Sequence, residues 1–195
     1  MDLNNQSAVV TGGASGMGAV TAAALAARGA RVAVLDMNQK AAEEKASAIG
    51  GIGIVCDVAD AQSASSAVDR VVAELGPPRV VVNCAGIALA GRIVGRDGPH
   101  DLADYQKVIN VNLIGTFNIL RLTAARMSDL ELIGGSGGRG VIINTASVAA
   151  YDGQIGQAAY SSSKGGVVAL TLPAARELAR FGIRVMTIAP GLIKT

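Results

Sequence analysis

The chain is expected to fold as one α/β domain spanning residues 1–195, built on a doubly wound parallel sheet. Three observations carry this expectation. Short apolar runs alternate with longer stretches of helical periodicity along the whole sequence. The short runs are apolar at successive positions, as strands covered by helices on both faces must be. Residues able to do chemistry recur just after those runs, where such a sheet binds its ligands.

In order, the first strand is expected at 7–11 and leads into the turn Thr11-Gly12-Gly13-Ala14-Ser15-Gly16-Met17-Gly18. An alanine-rich helix follows at 16–28, then a strand at 31–36 that ends in Asp36. A helix at 39–49, a strand at 53–56 and a helix at 61–75 come next; in the last, Ala64, Ala67, Val68, Val71, Val72 and Leu75 recur at helical spacing and would cover one sheet face. A strand at 80–83, a helix at 101–127, a strand at 140–145, a helix at 158–180 and a strand at 184–189 complete the alternation. Right-handed crossovers then make the sheet parallel. Gly134-Gly135-Ser136-Gly137-Gly138 reads as a flexible loop, and neither an internal repeat nor an interdomain linker is visible.

Composition narrows the function classes. Half of the residues are hydrophobic and 16% are charged, enough apolar material for one core. The net charge of +2 is small and its Arg and Lys residues are dispersed, which gives no case for a nucleic-acid surface. Apolar runs such as Val80 to Val82 and Val141 to Ile143 are strand-sized, so no membrane association is expected. The start, Met1 to Gln6, has neither a secretory core nor arginine-rich amphipathic character, and a cytoplasmic location is the expectation. Cys56 and Cys84 are the only cysteines, each at a strand end where a thiol packs as a small apolar group; no disulfide or metal site is expected.

The glycine turn follows G-x-x-x-G-x-G, through Gly12, Gly16 and Gly18, and departs from the G-x-G-x-x-G dinucleotide fingerprint. Its physics is shared: backbone close to a pyrophosphate, and a helix N-terminus whose free N–H groups face the anion. Asp36 lies eighteen residues beyond Gly18. A carboxylate there accepts hydrogen bonds from an adenosine ribose and repels a 2′-phosphate, favouring NAD over NADP. Later in the chain Tyr160 and Lys164 stand at i and i+4 on one helix face, thirteen residues after Ser147 at a strand end. An ammonium near a phenol favours its ionised form, and Ser147 can hydrogen-bond the reacting oxygen while Tyr160 moves the proton.

Taken together, Thr11 to Gly18, Asp36, Asp57-Val58, Asn83-Cys84-Ala85-Gly86, Asn112, Ser147, Tyr160, Lys164 and Pro190-Gly191 resemble the short-chain dehydrogenase/reductase family over essentially the whole chain. The stretches Arg139 to Ala150, Gly156 to Tyr160 and Arg184 to Leu192 look most like its type-2 3-hydroxyacyl-CoA dehydrogenases. The resemblance implies a Rossmann fold with Gly12, Ser15, Gly16, Met17, Gly18 and Asp36 on the cofactor. It implies that Asp57 and Val58 meet the adenine, although an aspartate after a strand is also a common helix cap. Asn83, Cys84, Ala85 and Gly86 would pass under the adenosine ribose, Cys84 by its backbone. Pro190, Gly191, Ile193 and Thr195 would grip the nicotinamide carboxamide.

By the same resemblance Asn112, rather than Asn110, holds a water in a proton relay to Lys164, and Lys164 also bonds the nicotinamide ribose. Ser147, Gln157 and Tyr160 would face the substrate, Gln157 alternatively being a plain loop residue. The insertion from Ala88 to Asp104 holds Arg92 and Arg96, which would either meet the phosphates of an acyl-CoA or remain solvated; His100, also within it, is given no role. A usual family member continues beyond this point to a seventh strand, without which strand 184–189 is an apolar edge. The expectation is therefore part of a longer protein. Apolar residues on more than one side of helices 101–127 and 158–180 imply a homodimer or homotetramer. Three functions follow from the resemblance: oxidation of a 3-hydroxyacyl-CoA to the 3-oxoacyl-CoA in fatty-acid metabolism, action on another alcohol or an acyl-carrier-protein thioester, or a non-catalytic binding or assembly subunit.

Overall fold

A computed structural model describes residues 1–133 and 138–193; the expectations for residues 134–137 and for Thr195 lie outside them. The strands are β1 (Ser7–Thr11), β2 (Arg31–Asp36), β3 (Ile52–Val55), β4 (Val80–Asn83), β5 (Gly140–Thr145) and β6 (Ile183–Ile188). They form one parallel sheet in the order β3-β2-β1-β4-β5-β6. The order reverses between β1 and β4, and that switch point opens a crevice beyond the carboxyl ends of both strands. Valine-rich strands bury both faces: Val9, Leu35, Val81 and Ile142 on one side, Val10, Val34, Val80 and Val82 on the other.

Helices α1 (Gly16–Ala26), α2 (Gln39–Ile49) and α3 (Ala61–Leu75) follow the first three strands. Asn38 and Asp60 cap α2 and α3 by accepting from Ala41 N and Ser63 N, satisfying helix-start donors that would otherwise be orphaned. The segment read as one helix at 101–127 is α4 (Leu102–Ile109), a π-helical turn (Asn110–Ile114) and α5 (Gly115–Ser128). By length and composition its 27 residues suffice to cross a bilayer, but half of the qualifying window is buried inside the fold, as a core helix requires. After β5 a short 3-10 turn (Val148–Ala150), unforeseen from sequence, precedes α6 (Ala158–Ala179). β6 forms the sheet edge, with Met186 and Ile188 half exposed.

Candidate active site

The glycine turn brings three chain segments together. Gly12 has φ +59, and a Cβ there would sit 2.8 Å from Ala85 Cα, so only glycine lets the first turn pass this close to the segment after β4. Ala85 N donates to Thr11 Oγ1 at 3.2 Å, tying the two crossing segments. Ser15 precedes α1 with no side-chain capping bond, which leaves its hydroxyl and the first-turn N–H groups as donors for an anion. Asp36 is fixed at the other wall by accepting from Ala14 N and Asn38 N at 3.2 and 3.0 Å.

Gly12, Ser15, Gly16, Met17, Gly18, Asp36, Val58, Cys84, Ala85 and Gly86 all line one cavity of about 310 Å³. The structure thus brings these ten positions together around one cavity, and Ile87 and Val111, which sequence gave no reason to choose, join them. A dinucleotide fits this cradle chemically: helix-start donors for its phosphates, a carboxylate for a ribose, and glycine-lined walls. Asp57 lies between two lining residues, Cys56 and Val58. Its Oδ1 accepts from Ala59 N at 2.9 Å, the local turn-forming role that its position after a strand allowed. The Asn83 side chain is buried in the sheet, donating to Oδ1 of Asn144 across the β4–β5 pair at 2.9 Å.

A second cavity of about 470 Å³ holds Ser147, Gln157 and Tyr160 in one wall with Met17, Gly191 and Ile193. Met17 stands in both cavities, so the two are contiguous. Ser147 accepts from Ala149 N at 3.1 Å at the start of the 3-10 turn. With an acceptor site on its oxygen so engaged, the hydroxyl is suited to donate to a substrate oxygen. Val148 N donates to Pro190 O at 3.0 Å and so ties the Pro190-Gly191 loop to the same turn. Gln157 Oε1 accepts from Gln154 N at 2.9 Å; this fixes the amide on the cavity rim at the start of α6.

Lys164 lies behind the tyrosine, 4% exposed, with Nζ 5.7 Å from the Tyr160 ring centroid and donating to Thr145 O at 2.6 Å. Burial pushes the ammonium from 10.5 down to about 8, against a smaller opposing pull from Cys84. A Cβ on Gly86 would lie 3.5 Å from Lys164 Nζ and 3.2 Å from Asn112 Oδ1, so the bare glycine lets both side chains reach the cofactor loop. Asn112 is fully buried in the π turn, whereas Asn110 is exposed. The Asn112 amide accepts from Ile87 N at 2.8 Å and donates to Ile87 O and Ser163 Oγ at 2.9 and 3.0 Å. Neither Ile87 nor Ser163 announced this role, although Ser163 does sit beside Lys164 in the sequence.

Burial pushes the Cys56 thiol up to about 12 and raises Cys84 as well, which makes both apolar wall groups rather than nucleophiles. Among the described residues no cluster of metal-ligating side chains occurs.

Residues 6–195 match the short chain dehydrogenase family. The 3-hydroxyacyl-CoA dehydrogenase type-2 of Homo sapiens is 50% identical over 192 residues, 96% of this chain and 73% of that protein. The D-threitol dehydrogenase of Mycolicibacterium smegmatis is 39% identical, over 99% and 72% of the two chains. The crystal structure of the 3-hydroxyacyl-CoA dehydrogenase type-2 from Mycobacterium avium superposes with a TM-score of 0.92 at 40% identity, covering 98% of this chain and 76% of that one.

Proposed function

Because the chain belongs to the short chain dehydrogenase family, we propose that it is an NAD-dependent 3-hydroxyacyl-CoA dehydrogenase, interconverting a 3-hydroxyacyl and a 3-oxoacyl thioester. The observation that carries this reading is that Ser147 and Tyr160 line the same cavity, with the Lys164 ammonium buried beside the Tyr160 ring. NAD, held by the glycine turn, Asp36 and the segment from Cys84 to Gly86, would supply the acceptor for the carbinol hydride. Ser147 donates a hydrogen bond to the substrate oxygen and orients it. Tyr160, as phenolate, takes the hydroxyl proton in the oxidation direction and returns it in reduction. Lys164 stabilises that phenolate by its charge, and Asn112 holds the π turn against the cofactor loop.

Specificity for NAD rests on Asp36, whose carboxylate in the cradle would repel a 2′-phosphate. The acyl-CoA assignment is supported by a neighbouring cavity of about 580 Å³ that shares Gln154 and Gln157 with the substrate side and has Arg92 in its wall. A thioester chain running through it would bring its phosphates toward a cation. A homo-oligomer is proposed from the apolar groove of about 340 Å³ between α5 and α6, lined by Phe117, Leu120, Leu170 and Pro173 among others.

The test is NADH formation from racemic 3-hydroxybutyryl-CoA, with NADP and a plain secondary alcohol as controls. Turnover of the thioester with NAD alone is the expected result. Oxidation of the plain alcohol but not the thioester would overturn the substrate assignment, and preference for NADP would overturn the role of Asp36.

A further inference from the structure

Ser163 is fully buried between the catalytic helix and the π turn, and the mechanism above gives it no part. Its Oγ lies 2.7 Å from the Tyr160 carbonyl oxygen, a separation that needs a proton between the two oxygens. A carbonyl only accepts, so the Ser163 proton is committed to Tyr160 and a lone pair faces Asn112 Nδ2 at 3.0 Å. This polarity acts together with the Ile87 carbonyl, which accepts from the same Asn112 Nδ2 at 2.9 Å, in fixing which end of the amide turns toward α6. The nitrogen goes to Ser163, and the oxygen is left facing the cofactor loop, where it accepts from Ile87 N at 2.8 Å. An amide turned the other way would set its oxygen against the serine lone pair and its N–H groups against the Ile87 N–H.

We propose that Ser163 is a positioning residue for hydride transfer, setting the Asn112 amide and thereby coupling the Tyr160 turn of α6 to the cofactor loop at Ile87. The two ends of this chain of bonds carry the reacting groups: the phenol on one side, the segment under the cofactor on the other. Without the serine hydroxyl, the second N–H of Asn112 loses its buried partner, and the amide is held by Ile87 alone. The kinetic consequence rests on the dehydrogenase reading above; the structural one does not.

The experiment compares Ser163→Ala and Ser163→Thr with the wild-type protein in two measurements. Amide hydrogen exchange at Ile87 is expected to quicken by about tenfold in Ser163→Ala while α6 stays protected. Turnover of 3-hydroxybutyryl-CoA is expected to fall by about tenfold with the NAD dissociation constant held within about twofold, a loss of alignment rather than binding. Ser163→Thr, which keeps the hydroxyl, restores both. Wild-type exchange at Ile87 in Ser163→Ala would overturn the proposal. So would a threonine variant as impaired as the alanine one, an NAD affinity that falls as much as turnover, or the failure of both variants to fold. If the wild type does not oxidise the thioester, the functional reading fails and exchange at Ile87 still decides the role of Ser163.

Discussion

Replacing Lys164 by methionine tests how the site holds its charge. In the folded protein burial lowers this ammonium from 10.5 to about 8, whereas the unfolded chain leaves it at its ordinary value. Below about pH 8 both states are protonated, and folding carries the cost of burying the charge. Between about pH 8 and 10.5 the unfolded state binds the additional proton, so stability rises with pH across that window. At ~1.4 kcal/mol per unit the full rise amounts to about 3 kcal/mol. Lys164→Met removes this dependence and also leaves Thr145 O without the ammonium, a pH-independent loss of about 1–3 kcal/mol. The variant is therefore expected to match or exceed wild-type stability at pH 7 and to fall below it near pH 10.5, with turnover lost throughout. Urea unfolding of both proteins at one concentration, from pH 7 to 10.5, reads the difference, in which other titrating groups cancel. Parallel stability curves would refute the reasoning.

Three further outcomes follow from the same geometry. Gly18→Ala would place a methyl 2.1 Å from Gly12 O, so the turn must shift; NAD affinity by fluorescence titration is expected to fall by at least about tenfold, with a lowered Tm. Tyr160→Phe is expected to bind NAD as the wild type does and to lose turnover by about two or more orders of magnitude, since only the proton-transferring oxygen is removed. A thiol reagent should modify Cys84, on the cofactor-cavity wall, slowly and more slowly still with NAD present; Cys56, buried with its thiol pushed up to about 12, should react only on unfolding.

What was legible in the sequence was local in its physics. Valine-rich strands, the glycine turn and the i, i+4 pair of Tyr160 and Lys164 each announce themselves within a few residues, and the structure assembles them as their order implies. Asp57 and Asn83 show the limit from the other side. Both stand at strand ends in family-like positions, and no local pattern shows the partners their side chains take up, Ala59 N for Asp57 and the Asn144 amide for Asn83. The 3-10 turn after Ser147 was equally hidden, because Val148-Ala149-Ala150 carries no turn residue and the turn is held in place by Pro190 from a distant loop.

The π turn is the part of the site least visible in one dimension, and it organises the rest. A regular helix from Leu102 to Ser128 advances about 100° per residue, so one extra residue in a single turn rotates everything beyond it by about that angle. Asn110–Ile114 makes that insertion, closing its hydrogen bond from Gly115 N to Asn110 O. On its near side Asn112 points inward to Ile87 and Ser163; on its far side Gly115 faces Val58, so closely that a Cβ would sit 2.5 Å from a valine methyl. Val58 is a wall of the cofactor cradle and Ser163 braces the catalytic helix. No uninterrupted α-helix through these residues keeps both contacts in register. The insertion is thus what allows one helix to meet Val58 on one side and Ser163 of α6 on the other, and its stabilising contacts lie 25 and 51 residues away in sequence, beyond the reach of any local pattern.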